Sequence, residues 1–424
     1  MVSNLQIKDL QNARDFLLSV VAGAHRGRLF LMMSKLTDQQ WTWVYGQAKV
    51  HRLLPQLHNA IAETPGSKVP EFVRSGSHNA FKQQALATLV DQKTINEIAN
   101  LFDRAQIPYC ALKGIPLTLR SYPHAALRPL RDIDVLVPRD RAVEAFKILQ
   151  SNGCQTVPGY DRKNLSRSHQ MPVLLAPSGV AIEVHFSVAP YERPGSTGLA
   201  EKLLSNAESF EVGGYPVRVA NPTDNFVHLV LHAGPHHLFD NGPLTLSDLR
   251  ALLASGELDW DKLEVELRAL RLYPTFCLLL AMLIRFGGLP TSFSKPEFMV
   301  DKFLVEQAAD LMTQQPEVAW QRDLLRRHPD FLERLLNGFG RALKPSAQDL
   351  INASGTAKDG AALWLVYPKW LFAKARGYLA ASRKSDLDIA AANDTVLLDW
   401  IEGKPQQSQE PCSSPGIQAD ESVA

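Results

Sequence analysis

At 424 residues the chain is longer than one hydrophobic core usually organises, so two or three domains are expected. Its 45 Lys plus Arg against 44 Asp plus Glu leave a net charge of +1, which excludes a uniformly basic surface that holds a polyanion by counterion release. A long nucleic acid is therefore the least expected partner.

The four cysteines, Cys110, Cys154, Cys277 and Cys412, are dispersed and form no CxxC pair. That usage fits a reducing cytoplasm and argues against a thiolate zinc site. The first two dozen residues lack a basic stretch followed by an unbroken apolar run, so no signal peptide is read. The most apolar later run, 276–284, is too short to span a bilayer and ends at Arg285. The expectation is a soluble protein with no membrane partner.

In chain order, residues 5–102 carry apolar side chains at three- and four-residue spacing, as in Leu17, Val20 and Val21 and again in Leu86, Leu89 and Val90, which predicts helices. Thr64-Pro65-Gly66-Ser67 interrupts them. From about 107 to 219 the character changes to short β-like runs at 109–112, 133–137, 173–175, 180–186 and 217–219, separated by turns and short helices. After Asn221-Pro222-Thr223-Asp224 the helical period returns and lasts to about 401. Thr223 or Asp224 is placed to cap its first helix, through Phe226, Leu229 and Val230. Residues 403–424, rich in Gln, Ser, Pro and Gly, predict a disordered tail. The layout is an α+β chain with a helical region (1–105), a sheet-containing core (106–220), a helical domain (221–402) and a tail (403–424).

Three Asp-x-Asp pairs occur, and spacing alone does not distinguish them. Asp259 and Asp261 open the helical run DWDKLEVELRAL, where acidic residues favour the helix dipole, and Asp386 and Asp388 follow Ser385 at what reads as another helix start. Only Asp132 and Asp134 interleave with Ile133, Val135 and Val137 in a strand, which puts both carboxylates on one face because side chains alternate with period two. Two carboxylates on one face can share a hard cation such as Mg²⁺, leaving other positions to substrate phosphates. Upstream, Leu112-Lys113-Gly114 closes a strand before a short helix at 115–122. A glycine there is either a plain turn or a place where backbone N–H groups approach a phosphate at a helix N-terminus. A third acid, Glu183, lies with His185 on one face of the run 180–186, while Ile182 and Val184 take the other. Beside the 133–137 strand it would bring three acids together; on an edge strand it would face solvent.

Leu112-Lys113-Gly114, Tyr122, Leu127-Arg128-Pro129, Arg131-Asp132-Ile133-Asp134-Val135-Leu136-Val137 and Ile182-Glu183-Val184-His185-Phe186 together resemble the nucleotidyltransferase superfamily that includes DNA polymerase β and kanamycin nucleotidyltransferase. Within it they resemble the bacterial branch labelled uncharacterised nucleotidyltransferase. Weaker matches are His228-Leu229-Val230-Leu231-His232 and Leu246-Ser247-Asp248-Leu249.

The resemblance implies a nucleotidyltransferase-type mixed sheet with helices. Asp132, Asp134 and Glu183 would hold Mg²⁺ or Mn²⁺, and the turn at Lys113 and Gly114 would embrace the triphosphate of a nucleoside triphosphate. It also implies transfer of a nucleoside monophosphate to the hydroxyl of a small molecule, peptide or protein. The superfamily turn usually reads Gly-Ser or Gly-Gly; here Lys113-Gly114-Ile115 leaves the phosphate to backbone and lysine. Arg128 and Arg131, flanking the acidic strand, are read either as bidentate phosphate contacts or as solvated arginines. The departure at the turn keeps open a non-catalytic nucleotide-binding or regulatory module.

His228, His232 and His236 recur at four-residue spacing with His237 adjacent, but no HExxH accompanies them and Gly234-Pro235 should end or distort the helix. Structural or acceptor-pocket histidines are preferred over zinc ligands. The leucine-rich run 278–283 and the aromatics Trp364, Tyr367, Trp370 and Phe372 read as helical core. Lys369, Lys374 and Arg376 beside them are read as solvated or acceptor-facing.

Overall fold

The computed structural model describes residues 7–157, 168–188, 198–288, 300–315 and 385–403, with isolated positions between 318 and 326. Trp364 to Arg376 and all of the tail beyond Gly403 lie outside the described residues.

The chain opens with helices α1 (Ile7–Val21), α2 (Arg26–Met33), α3 (Asp38–Val50), α4 (Leu54–Ala62) and the long α5 (Glu71–Arg104). The Thr64–Ser67 interruption falls between α4 and α5, as its residue types require. α3 begins with a capping box in which Thr37 and Gln40 satisfy each other's backbone N–H groups. Leu17, Val20 and Val21 are buried, but Leu86, Leu89 and Val90 of α5 are exposed. Helical spacing there marks the helix correctly without marking its packed face. That face is Ile95, Ile98, Ala99 and Phe102, one to two turns further on.

The sheet has seven strands among the described residues, β1 (Cys110–Ala111), β2 (Asp132–Leu136), β3 (Gln155–Thr156), β4 (Leu174–Leu175), β5 (Ala181–His185), β6 (Glu208–Val212) and β7 (Tyr215–Val219), in the order β3-β4-β5-β2-β1-β7-β6. It is mixed: β2 runs parallel to β5 and antiparallel to β1, while β1 runs parallel to β7. The fold is thus the expected mixed sheet flanked by helical regions. Two strands carry no sequence expectation, the two-residue β3 and the edge strand β6. β6 forms a hairpin with β7 across Gly213 and Gly214, both at positive φ, the conformation a two-residue hairpin turn needs.

Between strands lie the helical turn α6 (Gly114–Pro116), which continues as a π-helical turn over Leu117–Ser121, then α7 (Ala142–Ser151) and α8 (Leu199–Ser205). After β7 come α9 (Pro222–Leu231), α10 (Leu244–Ser255), α11 (Trp260–Ala269), α12 (Tyr273–Phe286), α13 (Lys302–Thr313) and α14 (Ser385–Ile401). The cap of α9 is Asn221, whose Oδ1 accepts from the Asp224 N–H at 2.9 Å, rather than Thr223 or Asp224. Pro222 decides this, because a proline fits the first helical position and sets the cap one residue before it. Asp259 caps α11, and α14 starts at Ser385, so both other Asp-x-Asp pairs open helices.

Two apolar clusters sandwich the sheet. Ile133, Val135 and Val137 of β2 and Ile182 and Val184 of β5 join α5 and α7 on one face. The N-terminal helices and the helices after Pro222 share the second cluster, into which Cys110, Leu112 and Leu136 project. Asp132 and Asp134 lie between these, on the opposite face of β2 from Ile133 and Val135. Among the described residues no helix is long and apolar enough to cross a membrane.

Candidate active site

β2 and β5 pair in parallel with Asp132 opposite Ala181, Asp134 opposite Glu183 and Leu136 opposite His185. In that register the outward residues of both strands form one patch: Asp132, Asp134, Glu183 and His185. β5 lies between β4 and β2, so Glu183 is on an inner strand rather than a sheet edge. Ligand atoms of Asp134, Glu183 and His185 all lie within 4.8 Å of one another, close enough for one ion.

Asp134 is the most enclosed of the acids, at 5% exposure. Its Oδ1 accepts from Lys113 Nζ at 2.9 Å and from His185 Nε2 at 2.8 Å. His185 Nε2 is also 3.3 Å from a Glu183 oxygen. Burial pushes the Asp134 carboxyl up, but the Lys113 ammonium and the His185 hydrogen bond outweigh it and hold the group well below the usual carboxylate range. Asp132 goes the other way: burial first, then the charges of Asp134 and Glu183, push it up to about 7. Two aspartates two residues apart are thereby made chemically unlike.

Lys113 reaches this patch from the end of β1 in an unusual backbone conformation, φ 49° and ψ −103°. Its N–H donates to Asn225 Oδ1 at 3.0 Å, so α9 clamps the turn. Gly114 follows, and here glycine is required by packing: a Cβ would stand 2.4 Å from Leu130 Cδ2 and 2.6 Å from Arg128 Nη1.

Arg128 lines the cavity, but its fork is spent on Asp248 of α10, Nε to Oδ1 at 3.1 Å and Nη2 to Oδ2 at 2.8 Å, with the Tyr122 hydroxyl donating to the same carboxylate at 2.7 Å. The Arg128 fork, read from the sequence as a phosphate contact or a solvated arginine, is paired to Asp248 in the structure. A buried guanidinium already paired two ways anchors the turn instead. Arg131 is exposed at the rim, and Arg52 donates to the Leu130 carbonyl at 2.6 Å, bringing the N-terminal helices to the acidic strand.

The patch faces a cavity of about 570 Å³ whose lining also includes His169, beside His185, and His228, His232, His236, His237 and Asp240. The π-helical turn His232–His236 is the distortion expected of Gly234-Pro235, and it brings His236 and His237 into the wall. Ring centroids lie 4.4 Å apart for His232 and His237, and 5.6 Å for His169 and His236. Burial, reinforced by neighbouring imidazoles and Lys113, drives His228 and His232 well below their ordinary value and takes His169 and His236 down to about 3, so these rings are neutral near pH 7. Among the described residues, His228 Nδ1 and His236 Nε2 are buried without a hydrogen-bond partner. A larger cavity of about 870 Å³, against α5 and the β6–β7 turn, gathers no comparable cluster of acids.

All the sequence-derived site residues line this cavity, Arg131 as an exposed residue. Missed by the sequence were Asn225, Arg52 and His169. Their partners are backbone groups or rings from distant segments, which leave no local pattern.

The chain matches the protein family described as Uncharacterised nucleotidyltransferase over residues 37–288, more than half its length. It belongs to that family. The matched span holds the whole carboxylate patch and the histidine wall. No curated protein matches this family member. Two solved structures are similar to it. One is the solution structure of the antibiotic-resistance factor ANT(2'')-Ia, at 18% identity and a TM-score of 0.30, covering 46% of this chain and 96% of that one. The other is the crystal structure of an antigenic nucleotidyltransferase-like protein from Paracoccidioides brasiliensis, at 14% identity and a TM-score of 0.29, covering 47% and 94%.

Proposed function

We propose that this nucleotidyltransferase transfers a nucleoside monophosphate from a nucleoside triphosphate to an acceptor hydroxyl, with Asp132, Asp134 and Glu183 holding divalent Mg²⁺ or Mn²⁺. The observation that carries this is the register of β2 on β5, which sets Asp134 opposite Glu183 with Asp132 one step along the same face. Oxygen donors from two acids and a nearby imidazole within 4.8 Å suit a divalent ion. When bound, the ions supply positive charge for the pyrophosphate leaving group and lower the pKa of the acceptor hydroxyl.

The protein's own groups divide the remaining work. Lys113 and the N–H groups at Gly114 take the triphosphate, and Arg131 at the rim meets its outer charge. Glu183, half in the cavity, accepts the acceptor's proton, with His185 orienting it. The neutral imidazoles of His228, His232 and His236 offer one donor and one acceptor each, suited to hydroxyl or amide groups of an acceptor small molecule, peptide or protein.

A second reading, a non-catalytic nucleotide-binding module, draws on one observation: Lys113 is paired directly to the central aspartate. Calorimetry of nucleoside triphosphates with and without Mg²⁺ or Mn²⁺, followed by transfer of α-labelled nucleotide to panels of sugars and peptides and to the protein itself, separates the two. Metal-dependent binding and transfer are expected, with Asp132→Asn and Asp134→Asn each lowering transfer about 10³-fold, the worth of several kcal/mol of transition-state charge stabilisation. Unchanged transfer in both variants would sink the site assignment.

A further inference from the structure

We propose that the Lys113 ammonium is the resident counter-cation of the carboxylate cluster, seated on Asp134 where a divalent ion would bind and obliged to leave before the ion can enter. This rests on the metal-site reading above and deepens it. Metal and nucleotide then bind as a pair, because the triphosphate gives the released ammonium a new partner.

A carboxylate oxygen has two lone-pair directions, and Asp134 Oδ1 already receives Lys113 Nζ at 2.9 Å and His185 Nε2 at 2.8 Å. A divalent ion sits about 2.0–2.6 Å from its oxygen ligands, so an ion on that atom would stand within a few ångströms of the ammonium, and like charges that close are strongly unfavourable at an enclosed site. On that oxygen the ammonium and a divalent ion exclude one another.

The lysine is not there by default. A non-glycine residue at φ 49° and ψ −103° persists only when its surroundings hold it. What holds it is Asn225, 1% exposed, whose side-chain oxygen takes the Lys113 N–H at 3.0 Å. A helix of the second helical region thus fixes a strained backbone whose side chain emerges at the acids. The same residue adjoins Gly114, and its side chain lines the cavity together with the acids.

The cluster's balance agrees. Asp132, Asp134 and Glu183 line one cavity together, and Lys113 shares the most enclosed of them with His185. Removing its charge should leave the acids more open to a divalent ion, not less. A lysine that served only to bind phosphate would leave the affinity for bare metal as it was.

The test titrates Mn²⁺ alone into the full-length protein, reading the free aquo-ion by electron paramagnetic resonance. Lys113→Met removes the charge at similar length, and Lys113→Gly removes it while suiting the positive φ; melting temperatures confirm that each is folded. Both variants should bind Mn²⁺ about tenfold more tightly than wild type, the scale of a typical coupling between sites, while Lys113→Arg stays near wild type. For the preformed complex of Mn²⁺ with inorganic triphosphate, followed by calorimetry, the order should reverse, with wild type binding more tightly than Lys113→Met. Equal or weaker Mn²⁺ binding in the Met and Gly variants overturns the proposal, including the case in which none of these proteins takes up Mn²⁺ alone. Mn²⁺ binding that survives Asp132→Asn and Asp134→Asn would place the ion elsewhere, so that the metal-site reading itself falls.

Discussion

On one side of the cavity Asp132, Asp134, Glu183 and His185 project from two parallel strands in register, while on the other His228, His232, His236 and His237 come from a helix and the π-helical turn that ends it. On the strand side Asp134 and Glu183 both lie against His185. On the helical side His228, His232 and His236 are neutral near pH 7, and two ring nitrogens lack partners among the described residues. The difference teaches how each wall is specified: alternation along a strand fixes direction to within a residue, whereas the helical wall depends on where Gly234-Pro235 distorts the helix. The rigid wall is suited to chemistry that tolerates little displacement, the irregular one to recognition of a partner.

The segment leading into β2 is tied to α10 through Arg128 and Asp248, and breaking that tie should give the largest effect. Asp248→Ala leaves a buried guanidinium unpaired, so a loss of about 3–5 kcal/mol is expected in denaturant unfolding. Asp248→Asn, which keeps a hydrogen-bonding side chain of the same shape, should lose less. Equal stability of Asp248→Ala and wild type would mean that the Arg128 pair does not hold α10 to the acidic strand. A smaller loss, roughly 1–3 kcal/mol, is expected for Gly114→Ala, whose methyl would overlap Leu130 and Arg128 and push the turn away from Asp134. Nucleotide affinity should fall with stability in that variant, and a tolerated alanine would show that the turn has room to spare.

Acid should weaken the histidine wall selectively. The folded protein holds His236 at about 3 against an ordinary 6.5, so between those values the unfolded chain binds more protons and stability falls as pH drops. Each such imidazole contributes at most about 1.4 kcal/mol per pH unit within the window. Melting temperatures measured from pH 7 to 4.5 should decline, and His236→Asn should flatten the decline; an unchanged slope would mean that the ring is already solvated. The smallest effect belongs to an acidic pair outside the cavity. Asp259→Ala removes a helix cap and should cost about 1 kcal/mol while leaving nucleotide transfer at wild-type rate.

The contrast between walls is also the contrast between what the sequence disclosed and what it hid. Asp132, Asp134 and Glu183 could be placed on one face because strand alternation is a local rule, and the runs around 133–137 and 180–186 became β2 and β5 nearly to the residue. That the two strands are neighbours is a long-range fact, entered from the resemblance and met in the register. Leu86, Leu89 and Val90 carried the helical period yet face outward, because periodicity reports the helix and not which neighbour covers it. β6 escaped notice as an exposed edge strand with charged residues, although Gly213-Gly214 between two alternating runs was a usable hairpin signal. The role of Arg128 depended on Asp248, 120 positions away, and no local pattern announces such a partner.

The alternation of β2 has a further reach. Ile133, Val135 and Val137 fill one core while Asp132 and Asp134 face the cavity, so a slip of one residue would drive two carboxylates into packed hydrocarbon and turn three aliphatic side chains toward the site. Proofreading of the strand and assembly of the site are therefore one event. A newly made chain that has found its stable arrangement has, by the same stroke, aimed its acids.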